Sequence, residues 1–330
     1  MREARPIVSP CPSSDACIPE PPTMSPRYLL ISPCRDEATF CRHTLQSVVS
    51  QTLRPALWVI VDDGSTDGTP AILDEYARQY PFVRVVRRTD RGKRSVGPGV
   101  VRAFYDGYAT VDPRQFEYLC KLDLDLELPP TYFETLVQRM AAEPRLGTCS
   151  GKPWFRTASG RLVSEGIGDE MSAGMTKFYR RDCFEQIRGF VREVMWDGID
   201  CHRCRMLGWM ACSWDDPELR FVHLRPMGAS DRGLWQGRKR HGRGQWFMGT
   251  GPLYMFASAI SRSVRRPYVV GGLGMLAGYL SSMAAARPRY EDPEFRRFLR
   301  QYQRACLLFG KRRVTDRMHA QLRGVVHAGP

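Results

Sequence analysis

Four short apolar runs, YLLIS at 28–32, LWVIV at 57–61, VRVV at 83–86 and YLCKL at 118–122, are separated by segments whose apolar residues recur every three or four positions. This alternation constrains the fold more than any other feature of the chain. A strand followed by a helix and a second strand needs a crossover, and crossovers lay strands in parallel with helices on both faces. The helical segments are 40–52, with Leu45, Val48 and Val49 on one face, and the stretch after Thr69, with Ile72, Leu73, Tyr76, Ala77 and Tyr80. Two more cover 100–110, around Val101, Phe104 and Tyr108, and 131–143. Thr69 is expected to cap the second of these, with Pro70 at its first position, where the missing N–H costs nothing. The first half therefore reads as a doubly wound, mostly parallel α/β unit. Residues 147–223 mix short strands with helices near 182–187 and 197–207 and read as the rest of the same domain; residues 224–330 read as mostly helical and basic.

In such sheets ligands bind beyond the carboxyl ends of the strands. The second run ends in VDDGSTDGTP, which carries Asp62 and Asp63, and the fourth runs into KLDLDLELPP, which carries Asp123 and Asp125. Both acidic clusters are expected to open onto one crevice. Converging carboxylates need compensation, and a hard divalent cation with oxygen ligands is the simplest source of it. Taken alone, DDGSTDG is a good turn and LDLDLE an edge of alternating polarity; their order and matching strand ends favour a site. A dinucleotide fold is disfavoured, because the first run leads into SPCRDE rather than a GxGxxG turn, and no GxxxxGK[ST] loop occurs.

The net charge of +14 and pI near 9.5 give a positive field that favours anionic partners such as phosphates, nucleic acid or anionic lipid. Residues 1–26 are rich in Pro and Ser and lack the apolar run of a signal peptide, so they read as a disordered leader within which Met24 is an alternative start. Eleven cysteines without an export signal fit reduced thiols and a cytoplasmic setting. Cys201 and Cys204 form a single CxxC around His202, short of the two pairs usual for a structural zinc, so packing is the expected role. Residues 268–286 carry no charge and contain GxxxG at Gly274 and Gly278. Their length approaches the ~20 residues of a bilayer span, but Gly, Ser and Tyr weaken the apolar signal and favour a packed or interfacial helix.

Five pieces, SPCRDEATF, VIVDDGSTDGTP, RGKRSVGPG, KLDLDLELPP and WDGIDCHRCRMLGW, together resemble the ordered motifs of the inverting family 2 glycosyltransferases with the GT-A fold. The resemblance implies a GT-A-type nucleotide-sugar-binding domain over 27–223 and a helical basic extension over 224–330. Donor-binding roles would fall on Pro33, Arg35, Glu37, Asp62, Asp63, Gly92, Lys93 and Asp123, and metal-binding roles on Asp125 and on His223 in RFVHLRP. The metal would be Mn2+ or Mg2+, with imidazole suiting Mn2+ better. Registering Gly208 and Trp209 on the family's Gly-aromatic ending places the catalytic base on Asp197, with Trp196 where the family commonly has Glu and Asp200 as the fallback base. The family's Gln-x-x-Arg-Trp element is poorly matched: HGRGQW keeps Trp246 but has Gly242 and Gln245 at the polar positions, which leaves Arg240 or Arg243 to meet the diphosphate.

The activity so implied is metal-dependent, inverting transfer of a sugar from a UDP- or GDP-sugar to a hydroxyl of a glycan or lipid-linked acceptor, as in polysaccharide biosynthesis. The basic tail suggests action at the cytosolic face of a membrane, without a nucleic-acid partner. One base suffices for such chemistry, because a diphosphate leaves without a proton while the incoming hydroxyl must lose one. Two rivals are a non-catalytic binder of nucleic acid or anionic surfaces, built on RKRHGR at 238–243 and Lys311–Arg313, and a nucleotidyltransferase on a related α/β fold. Weak aromatic interleaving argues against the first, and the lack of a Gly-rich, Lys-containing loop after the first strand against the second.

Overall fold

The computed structural model describes residues 26–90, 92, 97–225, 233–264 and 268–327. The leader over 1–26, apart from its last residue, and Lys93 lie outside the described residues. The first half runs β1 (Tyr28–Cys34), α1 (Cys41–Val49), β2 (Leu57–Asp62), α2 (Thr69–Gln79), β3 (Val83–Arg87), α3 (Pro98–Tyr108), β4 (Tyr118–Leu122), β5 (Leu126–Glu127) and α4 (Tyr132–Ala142). It continues through β6 (Leu146–Arg156), β7 (Leu162–Ser164), β8 (Thr176–Arg180), α5 (Arg181–Gln186), α6 (Trp196–Met206), β9 (Met210–Trp214) and β10 (Arg220–His223). Five helices follow: α7 (Leu234–Met248), α8 (Pro252–Ser263), α9 (Val270–Ala284), α10 (Pro293–Phe309) and α11 (Lys311–His327).

The sheet order is β3-β2-β1-β4-β8-β6-β10-β5, with β7 and β9 also paired to β6. Strands β3, β2, β1 and β4 are mutually parallel, while β8 enters antiparallel between β4 and β6. Period-2 side-chain alternation feeds two cores at once. Tyr28 and Leu30 of β1, with Trp58 and Ile60 of β2, join Leu45, Leu73 and Phe133 beneath α1, α2 and α4. Leu29, Ile31, Val59 and Val61 join Val101, Phe104 and Phe184 beneath α3 and α5.

Thr69 is the first residue of α2 rather than its cap; its N–H donates to Asp67 Oδ1, and its hydroxyl accepts from the Glu37 amide, tying the turn after β2 to the loop after β1. Cys201 and Cys204 are buried thiols in the core under α6. Among the described residues no helix is long and apolar enough to cross a membrane. The Gly274/Gly278 stripe instead meets α7: a Cβ on Gly278 would lie 2.0 Å from Lys239 O, and one on Gly242 of α7 would lie 1.9 Å from Met275 O. Close backbone approach of two helices is the physical use of such small residues, in water as in lipid.

Candidate active site

The carboxyl ends of the strands open into a cavity of about 500 Å³. Pro33 reaches it from β1, Arg35 and Glu37 from the loop that follows, Asp63 from the end of β2, Lys121, Asp123 and Asp125 from β4 and the turn beyond it, and His223 and Arg225 from the end of β10. Trp196 and Asp197, at the start of α6, line it as well. The two acidic clusters were expected to share one crevice, and among the described residues all the predicted site residues except Asp62 and Gly92 line it.

The adjacent carboxylates Asp62 and Asp63 escape each other because successive strand residues point to opposite sides. Asp62 Oδ1 accepts from the Ser65 N–H at 2.9 Å and holds the turn, away from the cavity wall. Asp63 faces the cavity, with Arg88 Nη1 2.6 Å from its Oδ1, while Arg35 Nη1 donates to its carbonyl at 2.9 Å. Gly92 also lies off the wall; its N–H donates to Asp90 Oδ1, which in turn accepts from Arg35 Nη2.

Asp125 lies between two cationic side chains. Arg225 Nη2 lies 2.8 Å from Asp125 Oδ2 and 2.7 Å from both Glu37 oxygens, and His223 Nε2 lies 3.6 Å from Asp125 Oδ2. The other ring nitrogen of His223 donates to Glu165 Oε2 at 2.9 Å. Burial works against charge on both groups, but the opposite charges win: Asp125 is drawn down to about 2 by His223 and Arg225, and His223 rises to about 9 through Asp125 and Glu165. A histidine tied at Nδ1 to a carboxylate, with Nε2 turned to a second carboxylate, is the donor arrangement of a metal-binding imidazole. Among the described residues no three Asp, Glu, His or Cys side chains converge closely enough to hold a metal by themselves. Two protein donors suit a hard ion that takes its remaining ligands from phosphate and water.

The two acidic residues of α6 have opposite surroundings. Asp200 is buried, held by Lys177 Nζ at 2.5 and 2.6 Å, by the Tyr179 hydroxyl and by the Cys201 N–H. It does not reach the cavity, which removes it as the fallback base. Lys177, kept protonated by Asp200 despite its burial, also donates to the Asp197 carbonyl at 2.8 Å and so fixes the first turn of the helix. The Asp197 carboxylate points into the cavity, and no described residue hydrogen-bonds it. Gly174 lets the opposing loop approach: a Cβ there would lie 2.7 Å from Asp197 Oδ2.

The departure at Trp196 has a physical reading. Its indole lies 5.4 Å from Lys121 Nζ and 5.8 Å from Lys177 Nζ, so an aromatic face stands beside two ammonium groups where the resemblance expects a carboxylate. Lys121 itself, buried in β4, donates to Asp123 Oδ1 and to the Gly174 carbonyl. From α7 it is His241 that lines the cavity, not Arg240 or Arg243. Its Nε2 lies 3.3 Å from Gln245 Nε2, and burial pulls its pKa down to about 4, leaving it neutral. Trp246, the retained residue of the poorly matched element, is core: it packs on Tyr279 and donates to the Arg287 carbonyl.

Residues 30–166 match the family model described as Glycosyl transferase family 2. This stretch is a family 2 glycosyltransferase domain. Over 182 residues the chain is 25% identical to EpsH of Bacillus subtilis, covering 54% of this chain and 50% of that protein. It is 28% identical over 130 residues to the poly-beta-1,6-N-acetyl-D-glucosamine synthase of Staphylococcus epidermidis, covering 39% of this chain and 29% of the synthase. The chain thus spans half or less of these relatives. Among solved structures, GalNAc-T7 with UDP, GalNAc and Mn2+ superposes with a TM-score of 0.54 at 14% identity, over 80% of this chain and 55% of that one. S. aureus TarS with UDP-GlcNAc gives 0.50 at 14% identity, over 89% and 92%. These likenesses establish the GT-A fold of the family 2 domain.

Lys121, Glu165, Lys177, Arg225 and His241 had escaped the sequence reading. Lys121 left a signal, since a lysine inside the otherwise apolar YLCKL strand needs a partner. Glu165 and Arg225 left none: their partners lie 58 and 188 residues away.

Proposed function

We propose that the chain transfers a sugar from a UDP- or GDP-sugar to a hydroxyl acceptor with inversion, Asp197 serving as the base. The observation that carries this reading is the placement of Asp125, His223 and an unbonded Asp197 carboxylate around one cavity of about 500 Å³. The donor's nucleotide would lie along Pro33, Arg35 and Asp63, whose carboxylate accepts N–H and O–H donors. Asp125 and His223 would hold the divalent ion, with Glu165 orienting the imidazole, and this ion supplies charge stabilisation to the leaving diphosphate. Arg225 brings fixed positive charge beside Asp125, and Lys121 brings it beside Asp123.

Asp197 removes the acceptor's proton as the hydroxyl oxygen bonds to the anomeric carbon. The bond from that carbon to the diphosphate breaks on the other face, and the diphosphate departs with the electron pair. Because Lys177 and Asp200 fix the turn that carries Asp197, the base is held in position before substrate arrives. Structures of the same fold contain UDP-sugar components and, in one case, Mn2+. The polysaccharide synthase among the relatives supports a glycan acceptor.

The test is a panel of UDP- and GDP-sugars with Mn2+ or Mg2+, scored for transfer to glycan acceptors and for release of nucleoside diphosphate. The reading predicts turnover with at least one donor and its loss in Asp125→Ala along with weakened donor binding. Binding of every donor unchanged in Asp125→Ala would overturn it, as would transfer of sugar phosphate instead of sugar.

A further inference from the structure

The helical layer keeps one face that the fold does not cover. On α8, Met255 and Ala259 are buried with Met275 and Tyr279 of α9, whereas Leu253, Phe256 and Ile260 point outward, Leu253 being 77% exposed. Leu307, Leu308 and Phe309, at the end of α10, are exposed as well. Contiguous large apolar side chains on a surface mark a place meant for a partner or a membrane.

Leu253 and Leu307 also line a cavity of about 260 Å³, shared with Arg289, Arg300 and Arg304 and with no carboxylate among its described residues. No described Asp or Glu pairs with any of these three arginines. The Arg289 guanidinium carbon sits over the Trp246 ring, 3.7 Å from its centroid; burial and the nearby Arg300 and Arg296 pull its pKa down. Three cations gathered in one pocket without an anion repel each other and favour a ligand that brings negative oxygens.

We propose that this pocket takes the phosphate headgroup of an anionic lipid and seats the apolar side chains of α8 and the end of α10 in a bilayer surface. Guanidinium groups match phosphate oxygens in a forked geometry, and leucines beside them fit the boundary between headgroups and acyl chains. Charge and apolar surface adjoin through Leu253 and Leu307, which belong to both. The inference does not depend on the sugar-transfer reading.

Co-sedimentation of the full chain with vesicles tests it, without any sugar donor present. Binding is expected to phosphatidylcholine vesicles containing phosphatidylglycerol, to weaken with added salt, and to be much lower with phosphatidylcholine alone. The double variant Arg300→Ala, Arg304→Ala should lower partitioning by roughly 25-fold, about 5-fold for each arginine near an anionic surface. Leu253→Ser with Ile260→Ser should lower it too, with circular dichroism confirming that both exposed-site variants stay folded. Equal binding to both vesicle types, or undiminished binding of the arginine variant, overturns the proposal. So does full suppression of vesicle binding by soluble glycerophosphate with Leu253→Ser silent, which would assign the pocket to a soluble phosphate ligand. Asp197→Asn should bind vesicles like the parent, which separates this outcome from any result on transfer.

Discussion

The cavity end of the sheet and the α7–α11 layer handle charge in opposite ways. Around the cavity, Asp63, Asp123 and Asp125 each have a cation within hydrogen-bonding distance, and the Asp197 carboxylate alone of the predicted acidic site residues has no described hydrogen-bond partner. In the helical layer, Arg289, Arg300 and Arg304 share a pocket with no carboxylate among its described residues, and apolar side chains face outward. The first region is balanced from within, so its geometry stands before a ligand arrives. The second is balanced only by what surrounds it. Preorganisation suits a place where atoms must be aligned; incomplete compensation suits a surface that docks.

Substitutions at the two acids of α6 should break the comparison most sharply. Asp197→Asn should lower transfer by about 10²–10⁴-fold, the usual contribution of a general base, with donor affinity from calorimetry and the urea midpoint both unchanged. Asp200→Asn should instead cost about 3–5 kcal/mol of stability, because it leaves the fully buried Lys177 without its counter-charge. An Asp197→Asn enzyme that transfers normally would move the base elsewhere. Next in size, Glu165→Gln should weaken Mn2+ dependence of donor binding by roughly 10–100-fold, as loss of an orienting carboxylate does; unchanged metal titrations would leave Glu165 a purely structural partner of His223.

In the helical layer the sharper probe is pH. His319 of α11 is buried, and its pKa is drawn from 6.5 down to about 4 by that burial and then by Arg205 and Arg323. The unfolded chain therefore binds this proton first, so the stability contribution is whole above about pH 6.5 and is lost as pH falls toward about 4. Urea midpoints between about pH 7 and about pH 4 should fall more steeply for the parent than for His319→Gln; parallel curves would show that His319 titrates normally. The smallest effect belongs to the exposed Arg312–Asp316 pair, 3.7 Å apart on α11. Arg312→Ala should change the unfolding free energy by less than about 0.5 kcal/mol.

The parallel strands β1 to β4, their covering helices and the convergence of the DD and DLD segments were legible because each depends on local periodicity or on where a strand ends. Trp58 and Val59 show it: neighbours in sequence, they enter opposite cores. The antiparallel entry of β8 was not legible, since short strands after residue 147 carry no signal for their order in the sheet. Nor was the split between Asp62 and Asp63 drawn from the motif, although strand alternation required it once β2 extended to Asp62. The single-register reading of HGRGQW pointed to arginines, but the rotation of α7 against α9 presents His241 to the cavity instead.

By itself the sequence determined the layered α/β plan, the family resemblance and the set of acids at strand ends, because patterns of period two and 3.6 act over a few residues. Tertiary structure decided which of those acids are paired and which is open. Glu37 meets Arg225 across 188 residues and Lys177 meets Asp200 across 23. Such partners are chosen by packing at a distance, and no local propensity encodes them.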